Sequence, residues 1–553
     1  MKLSPLLTLL LVAAFWWQGE RFLAANGPTF DEPVHFAAGY SYWATGDFRL
    51  NLEDPPLAKL LWTLPQFLFD PLPFPAEWRT ENEWRVGHAL LFDSGHDWKA
   101  LLTPARRMNM LFGVGVVVLV GVLARRLFDS PASGVVASAL AAFDPNLVAH
   151  SCILSTDVSL TFCTLLTACL GWEYVRGPRS RVGLTTLGIA VGLTLGAKFS
   201  AVLVVGALGV GLLAVVAAGG VVAMPGVSAN PVSFGDRVRL AIPVVMRVVL
   251  VALLTLLPLY FVVGFPTWGE GLKYQLMRGD SGDKAFYLLG EVSNRGWWWY
   301  FAVALAVKLP VGVLVLGVLG LASRPSDGAG SSKTRPITGA ARLFLPVCAL
   351  SLFILISAAR VNLGVRVMLP VIPFLYLLAG RFVARPSAWR YLLAALAVGS
   401  VMVSAVRVCP YPLSYFNEFV GGPERGVEIL GDSNVDWGQG LPALKEYMDR
   451  EELEGVYLSY CGTAPPRAFG IRCEPLTGHG QLEPPVPDSV SPNTRRVLVV
   501  SASSLQGTYL KDPHAFAWLR TRRPTAILAG CLWVFEWGDG DQAEVRRVRV
   551  FKP

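Results

Sequence analysis

Apolar runs of roughly 17–25 residues, the length that crosses a bilayer, recur in this chain from the amino terminus to Arg407. That single feature makes it a polytopic α-helical membrane protein. Eleven spans are expected, at about 4–22, 107–127, 132–149, 157–175, 182–197, 199–222, 241–264, 299–321, 342–358, 366–384 and 390–407. The stretch "GAKFS" at 196–200 reads either as a turn between two spans or as a kink within one. The first run has signal-peptide features in Lys2, an apolar core and the small pair Ala24–Ala25, but Trp16–Trp17 suits an interfacial belt and favours a retained helix. Residues 1–407 are therefore read as a transmembrane domain, and residues 408–553, of ordinary composition, as a separate α/β domain.

Charge supports this division. Only 16% of residues are charged, against about 25% in soluble chains. The net charge of +8 would suggest nucleic acid on a soluble protein. Here the basic residues sit in short loops between spans and record orientation, so no nucleic-acid partner is expected. With the amino terminus inside, "ARRLFDS", "VRGPRSR", "SFGDRVR", "SRPSDGAGSSKTR" and "GRFVARPSAWR" all become cytoplasmic. The stretches 23–106, 265–298 and 408–553 then lie outside. Lys198, Arg360 and Arg366 break the pattern, because they fall at outer turns, and Lys308 lies inside a span. A charge near lipid depth faces a cavity or a partner, or snorkels to lipid phosphates.

Within 23–106, "LEDPPLAKLLWTLPQFLF" has a Pro pair and then an apolar stretch too short to span, which predicts an interfacial helix. In the tail, "LPALKEYMDREEL" and "FAWLRTRRP" read as helices, and "GVYLSYC" and "RRVLVVSAS" as strands. "WVFEWGDGDQAEVRRVRVF" reads as a hairpin around its Gly/Asp turn. The only low-complexity piece is a Gly/Ser linker near 326–332. Cys152, Cys163, Cys169 and Cys348 read as core hydrophobes, and Cys461–Cys473 as the leading disulfide pair among the outer cysteines.

Walker A, GxGxxG, HExxH and CxxC patterns are absent, which leaves ATP-driven transport and dinucleotide chemistry unsupported. The "DGD" at 539–541 suits a turn better than a metal site. His88, Asp93, His96 and Asp97 match no standard metal spacing, so no metal is expected. The pair Asp31–Glu32, directly beyond the first span, is the most informative feature that remains. One reading makes Asp31 the N-cap of a short helix with Pro33 in its first turn. A second makes it a base, with Lys198, Arg360 and Arg366 as anion holders. A leaving phosphate needs no general acid, so one carboxylate suffices for an inverting displacement. Outside the cytoplasm the donor must be membrane-borne.

"FDEPVHFAAGYSYWATGDFRLNLEDPPLAKLL" resembles the first external loop of GT-C glycosyltransferases of the protein O-mannosyltransferase and lipid A aminoarabinose-transferase type. "AFDPNLVAHSCILSTDVSLTF", "GAKFSAVL", "LLGEVSNRGWWWYFAVALAVKLP", "VNLGVRVMLPVIPFLYLLAGR" and "YFNEFVGGPERGVEILGDSNVDWGQGLPAL" follow in the family's order, extending the resemblance over residues 25–445. The last three look most like a bacterial glycosyltransferase-39-like branch. The resemblance implies that Asp31 is the base, with Glu32 assisting, and that Lys59, Lys198, Arg360 and Arg366 contact the donor phosphate. Asp157 would support the site, or alternatively cap the fourth span. Asn362 and Gly364 would shape their loop. Asp54 stands where many relatives have His. Glu291, Ser293 and Asn294 would line the site or order the loop. Asp432, Asn434, Asp436, Trp437 and Gln439 would contact sugar or acceptor, or form a Gly-rich turn.

The implied protein is an inverting glycosyltransferase in a bacterial cytoplasmic membrane, active at the outer face. Its donor would be a polyprenyl-phosphate sugar, its acceptor a protein or an envelope glycan or lipid, with no further cofactor. The competing reading is a lipid-linked-sugar flippase, whose buried charges would mark a path.

Overall fold

Helix is the default for long apolar runs, because lipid offers the backbone no hydrogen-bond partner. The computed structural model describes residues 3–75, 78–177, 179–227, 233–278, 285–323, 339–480 and 496–549, with side chains from residue 5. The Gly/Ser linker near 326–332 lies outside the described residues. Among them, six helices are long and apolar enough to cross a membrane: Pro5–Ala25, Trp98–Phe128, Thr156–Arg176, Phe234–Leu259, Ala340–Ala358 and Ala388–Val408. Two bent helix pairs are together long and apolar enough to make two further spans or re-entrant segments, Pro131–Phe143 with Pro145–Ser151 at 61° and Tyr300–Lys308 with Val311–Ala322 at 114°. Among four shorter apolar helices, three lie in expected spans, Arg181–Ala197, Ala201–Ala217 and Ile372–Phe382. Each of the eleven expected runs corresponds to one of these elements.

Local chemistry explains the breaks. Pro145 and Pro310 supply no backbone N–H and force the chain to turn at the two bends. At "GAKFS" the chain breaks between two helices, and Lys198 has extended backbone. Apolar side chains such as Leu250, Leu254, Leu392 and Leu396 are exposed on Phe234–Leu259 and Ala388–Val408, as lipid-facing surfaces require.

The first long loop folds into helices Glu32–Thr45, Leu57–Phe69 and Glu83–Phe92. The second of these is the expected short apolar helix. It buries Leu57, Leu60 and Trp62 and leaves Leu68 and Phe69 exposed at its end. The loop 265–298 holds a hairpin of β1, Phe286–Leu288, and β2, Glu291–Ser293. Leu289 and Gly290 both have positive φ at its turn, the geometry of a type I′ connection.

The tail forms a five-stranded sheet. Its strands are β3 (Val456–Ser459), β4 (Cys473–Pro475), β5 (Val497–Ser501), β6 (Ala526–Leu528) and β7 (Leu532–Glu536), in the order β4-β3-β5-β7-β6. β3 pairs in parallel with both β4 and β5, and β7 is antiparallel to β5 and β6. The expected helix Leu441–Arg450 packs its Leu444, Tyr447 and Met448 on one face.

Three tail expectations change. "FAWLRTRRP" supplies only a 3-10 turn, Ala517–Leu519. The hairpin lies between β6 and β7, while 542–548 is a helix, because the Gly538–Asp541 turn bonds back on itself and starts a helix instead of reversing the strand. Cys461 and Cys473 are not bonded. Cys473 stands opposite Val456 and Cys461 opposite His479, which separates the two cysteines by roughly 16 Å at strand rise, beyond disulfide reach.

Residue 408 ends the last span but does not end the packing. The Lys308 ammonium, at the sharper bend, donates to the Leu413 carbonyl at 3.0 Å and the Asn434 carbonyl at 2.7 Å. Gly27 N donates to Gln439 O and Phe30 N to Trp437 O, at 2.9 and 2.8 Å. The tail segment before the sheet is thereby fastened onto the end of the bundle that carries the first loop.

Candidate functional site

Asp31 and Glu32 are neighbours with different surroundings. Glu32 is fully buried. Its carboxylate receives a bidentate contact from Arg106, with Nε to Oε1 at 2.8 Å and Nη2 to Oε2 at 2.5 Å. It also accepts from Thr29 N at 2.7 Å and Leu154 N at 3.0 Å. Arg106 donates in addition to the Asn26 and Gly27 carbonyls. Glu32 thus ties the end of the first span, the second span and the segment before the fourth into one corner. With four donors on its oxygens it is a positioning group. The placement of Asp31 also differs from the capping expectation. It has helical backbone at the start of Glu32–Thr45, and its side chain makes no capping bond. Asp31 as a residue is partly open to solvent.

Three residues beyond Leu154 lies the second cluster. Asp157 is buried and carries two cations, Lys198 Nζ at 2.5 Å from Oδ1 and Arg366 Nη1 at 3.5 Å from Oδ2. Ser155 Oγ donates to Asp157 Oδ2 at 2.5 Å. The cap of the fourth span is Ser155, whose oxygen accepts from Asp157 N, so the capping alternative for Asp157 gives way. Arg366 lies within electrostatic reach of Asp157, Asp31 and Asp432, and its guanidinium stacks 4.2 Å from the Trp437 ring. Two of the three anomalous cations therefore converge on Asp157, and one of them, Arg366, lies within electrostatic reach of Asp31.

The third does not. Arg360 is exposed, with positive φ. Lys59 is buried in a polar pocket of its own, where it donates to Asn51 Oδ1 at 2.5 Å and the Asp54 carbonyl at 2.9 Å. Burial lowers its pKa to about 8, against the pull of Asp54 and Glu83. The Asp54 carboxylate approaches His35 Nε2 at 3.9 Å, and His35 Nδ1 lies 2.6 Å from Leu154 O. Glu291 sits exposed on β2. Asn362 is buried and accepts from Trp297 N at 2.6 Å, ordering the loop before Arg366. Gly364 has φ 93°, and a Cβ there would meet Ser433 Oγ at 2.7 Å.

The tail segment 432–439 divides in the same way. Asn434 bonds Val365 N, Tyr300 Oη and Gly431 O. Gln439 bonds Trp437 N and Val435 O. Asp436 accepts from Gly438 N and Ser503 N, and burial raises its pKa to about 6. These three shape the loop. Trp437 faces Arg366 and contacts His150 edge-on at 6.1 Å. Asp432, partly open, accepts a hydrogen bond from the Tyr509 hydroxyl.

Sequence reasoning did not find Arg106, His479 or Tyr509. Arg106 had a signal, since the pair Arg106–Arg107, at a span end expected to face outward, breaks the expected charge pattern as Arg366 does. His479 and Tyr509 had none, because loops after separate strands bring them in. Among the described residues no group of three His, Cys, Asp or Glu could hold a metal. His88 pairs with Asp93, and Asp97 caps Trp98–Phe128. A cleft of about 450 Å³ between the last span and loop 411–423 is lined by none of the expected site residues.

Residues 6–269 match the family of dolichyl-phosphate-mannose-protein mannosyltransferases. That stretch contains Asp31, Glu32, Lys59, Arg106, Asp157 and Lys198. No curated protein matches the sequence. Among solved structures the chain is similar to ArnT from Cupriavidus metallidurans. For ArnT bound to undecaprenyl phosphate the identity is 16% and the TM-score 0.47, over 73% of this chain and 65% of that one. For apo ArnT the identity is 15% and the TM-score 0.48, over 95% and 97%. The S. cerevisiae Pmt1-Pmt2 protein O-mannosyltransferase complex bound to its sugar donor shows 17% identity and a TM-score of 0.32, over 52% of this chain and 36% of that one.

Proposed function

We propose that the protein is an inverting glycosyltransferase that takes a sugar from a polyprenyl-phosphate donor at the outer face of a bacterial cytoplasmic membrane. The observation that carries this reading is the Asp31 side chain, which makes no capping bond and lies within electrostatic reach of Arg366, where Arg366 and Lys198 both pair with Asp157; Asp31, Asp157 and Lys198 fall in the stretch matched by a lipid-phosphate-sugar transferase family. Lys198 and Arg366 hold the donor phosphate and take up the charge that builds on it. Asp157 fixes both cations in place. Asp31 accepts the proton of the acceptor hydroxyl. The acceptor oxygen bonds to the anomeric carbon as the bond from that carbon to the phosphate oxygen breaks, and polyprenyl phosphate departs with the electron pair. Glu32 and Arg106 hold Asp31 in register, and Lys59 supports the first loop from its own pocket. Arg360 lies outside the phosphate set.

The test is consumption of a labelled polyprenyl-phosphate sugar by the purified protein in lipid nanodiscs, with release of polyprenyl phosphate. Release that depends on Lys198 and Arg366 supports the transferase. An intact donor that crosses proteoliposome membranes would replace it with the flippase.

A further inference from the structure

The tail sheet faces the first loop with one particular end. β3 lies between β4 and β5, parallel to both. From β3 the chain passes to β4 on one side, and β5 adds on the other. In open sheets, ligands occupy the crevice beyond the carboxyl ends of such strands, where connections leave in opposite directions. Here the segments after β3, β4 and β5 supply Thr463, His479 and Tyr509. All three lead to Phe30, the residue before Asp31. Thr463 Oγ1 donates to Phe30 O at 2.7 Å. The Phe30 ring stacks on His479 at 5.3 Å and 12°, and His479 stacks on Tyr509 at 4.9 Å and 23°. The Tyr509 hydroxyl then donates to Asp432.

Two further observations mark this surface. Phe30, Asp31, Arg366, Asp432, His479 and Tyr509 are each partly open to solvent. Asp432 and Tyr509 have φ of 57° and 66°, a region costly for residues with a Cβ and concentrated at functional sites. Burial holds the His479 imidazole below its ordinary pKa, against the pull of Asp432, which favours the neutral ring, able both to donate and to accept.

We infer that this surface is the acceptor subsite, and that it takes a carbohydrate ring, with Asp432, His479 and Tyr509 presenting one ring hydroxyl to Asp31. The inference rests on the transferase reading and names its acceptor class. A pyranose offers neighbouring hydroxyls to a carboxylate and an imidazole, and C–H faces to aromatic rings. An extended peptide is read by an open strand edge. The edges of this sheet, β4 and β6, lie at its sides, whereas the residues beside Phe30 come from strand ends.

The test is saturation-transfer NMR on the full chain in nanodiscs, with methyl glucoside, methyl mannoside and methyl galactoside as probes and a Ser/Thr-containing peptide as control. At least one pyranoside should bind saturably. Tyr509→Phe and Asp432→Asn should each weaken it about tenfold, the loss of one charge-assisted hydrogen bond, with thermal unfolding unchanged and polyprenyl-phosphate binding not reduced. His479→Gln serves where Tyr509→Phe does not fold. No saturable pyranoside, binding indifferent to these variants, or binding of the peptide alone would overturn the inference. The readout is binding, so it is separate from whether donor is consumed.

Discussion

Two acid–base clusters meet at the segment 154–157, and they are built to different ends. Glu32 and Arg106 are sealed, with side chains 0% and 2% exposed. Asp157 is as buried as they are, at 3%, but its partners Lys198 and Arg366 keep 23% and 14% of their surface. Removing one partner of a sealed pair leaves a bare charge in the interior. The second cluster presents two cations that a ligand anion can reach. Adjacent acids in the sequence thus have different surroundings: Glu32 fixes a corner, and Asp31, beside it, makes no capping bond and is partly exposed.

The largest expected effect tests the sealed pair. Arg106→Met should cost roughly 3–5 kcal/mol of stability, seen as a lower midpoint of thermal unfolding. Replacing Glu32 as well with an apolar residue should restore much of that loss while leaving transfer low, because Asp31 loses its anchor. Transfer at the wild-type rate in the double variant would remove the positioning role. Next, Lys198→Ala and Arg366→Ala should each weaken polyprenyl-phosphate binding about ten- to a hundredfold, as expected for a charged hydrogen bond, with much smaller effects on unfolding. Arg360→Ala should change either quantity by less than about 0.5 kcal/mol. Equal losses at positions 360 and 366 would erase the distinction between the exposed and the clustered cations.

Asp157→Asn should separate binding from turnover. Lipid-phosphate affinity should hold or rise as the competing carboxylate disappears, while transfer falls about tenfold or more from lost orientation. A pH-dependent effect concerns the loop under Trp437. Asp436 titrates at about 6 in the folded protein against an ordinary 3.8. The folded state therefore binds more protons between these values, and this group's contribution to stability falls as pH rises from about 4 to about 6. The difference amounts to roughly 3 kcal/mol. Unfolding midpoints of wild type and Asp436→Ala, measured across that range, should converge toward high pH.

The membrane half was legible because span length is set by the bilayer, so each apolar run maps onto a helix or bent pair. Lys198 and Arg366 were legible as cations on the wrong side of the charge pattern. The same sign at Arg106 passed unnoticed because it opens a span, where a basic residue looks like an interfacial anchor. Asp31 and Glu32 could not be separated from sequence, since which carboxylate is buried depends on Arg106 and Leu154, more than seventy residues away. The tail was least legible. The 542–548 helix turns on one local hydrogen-bonded turn, and the His479–Tyr509 stack exists only because parallel strands align their following loops.

The most direct test of the central claim is sugar transfer from labelled polyprenyl-phosphate sugars in membranes, comparing wild type with Asp31→Asn. The account predicts that transfer falls by a hundredfold or more, about the contribution of a general base, while folding and polyprenyl-phosphate binding stay intact. Equal transfer by both proteins would contradict it and return Asp31 to the role of an ordinary residue at a helix start.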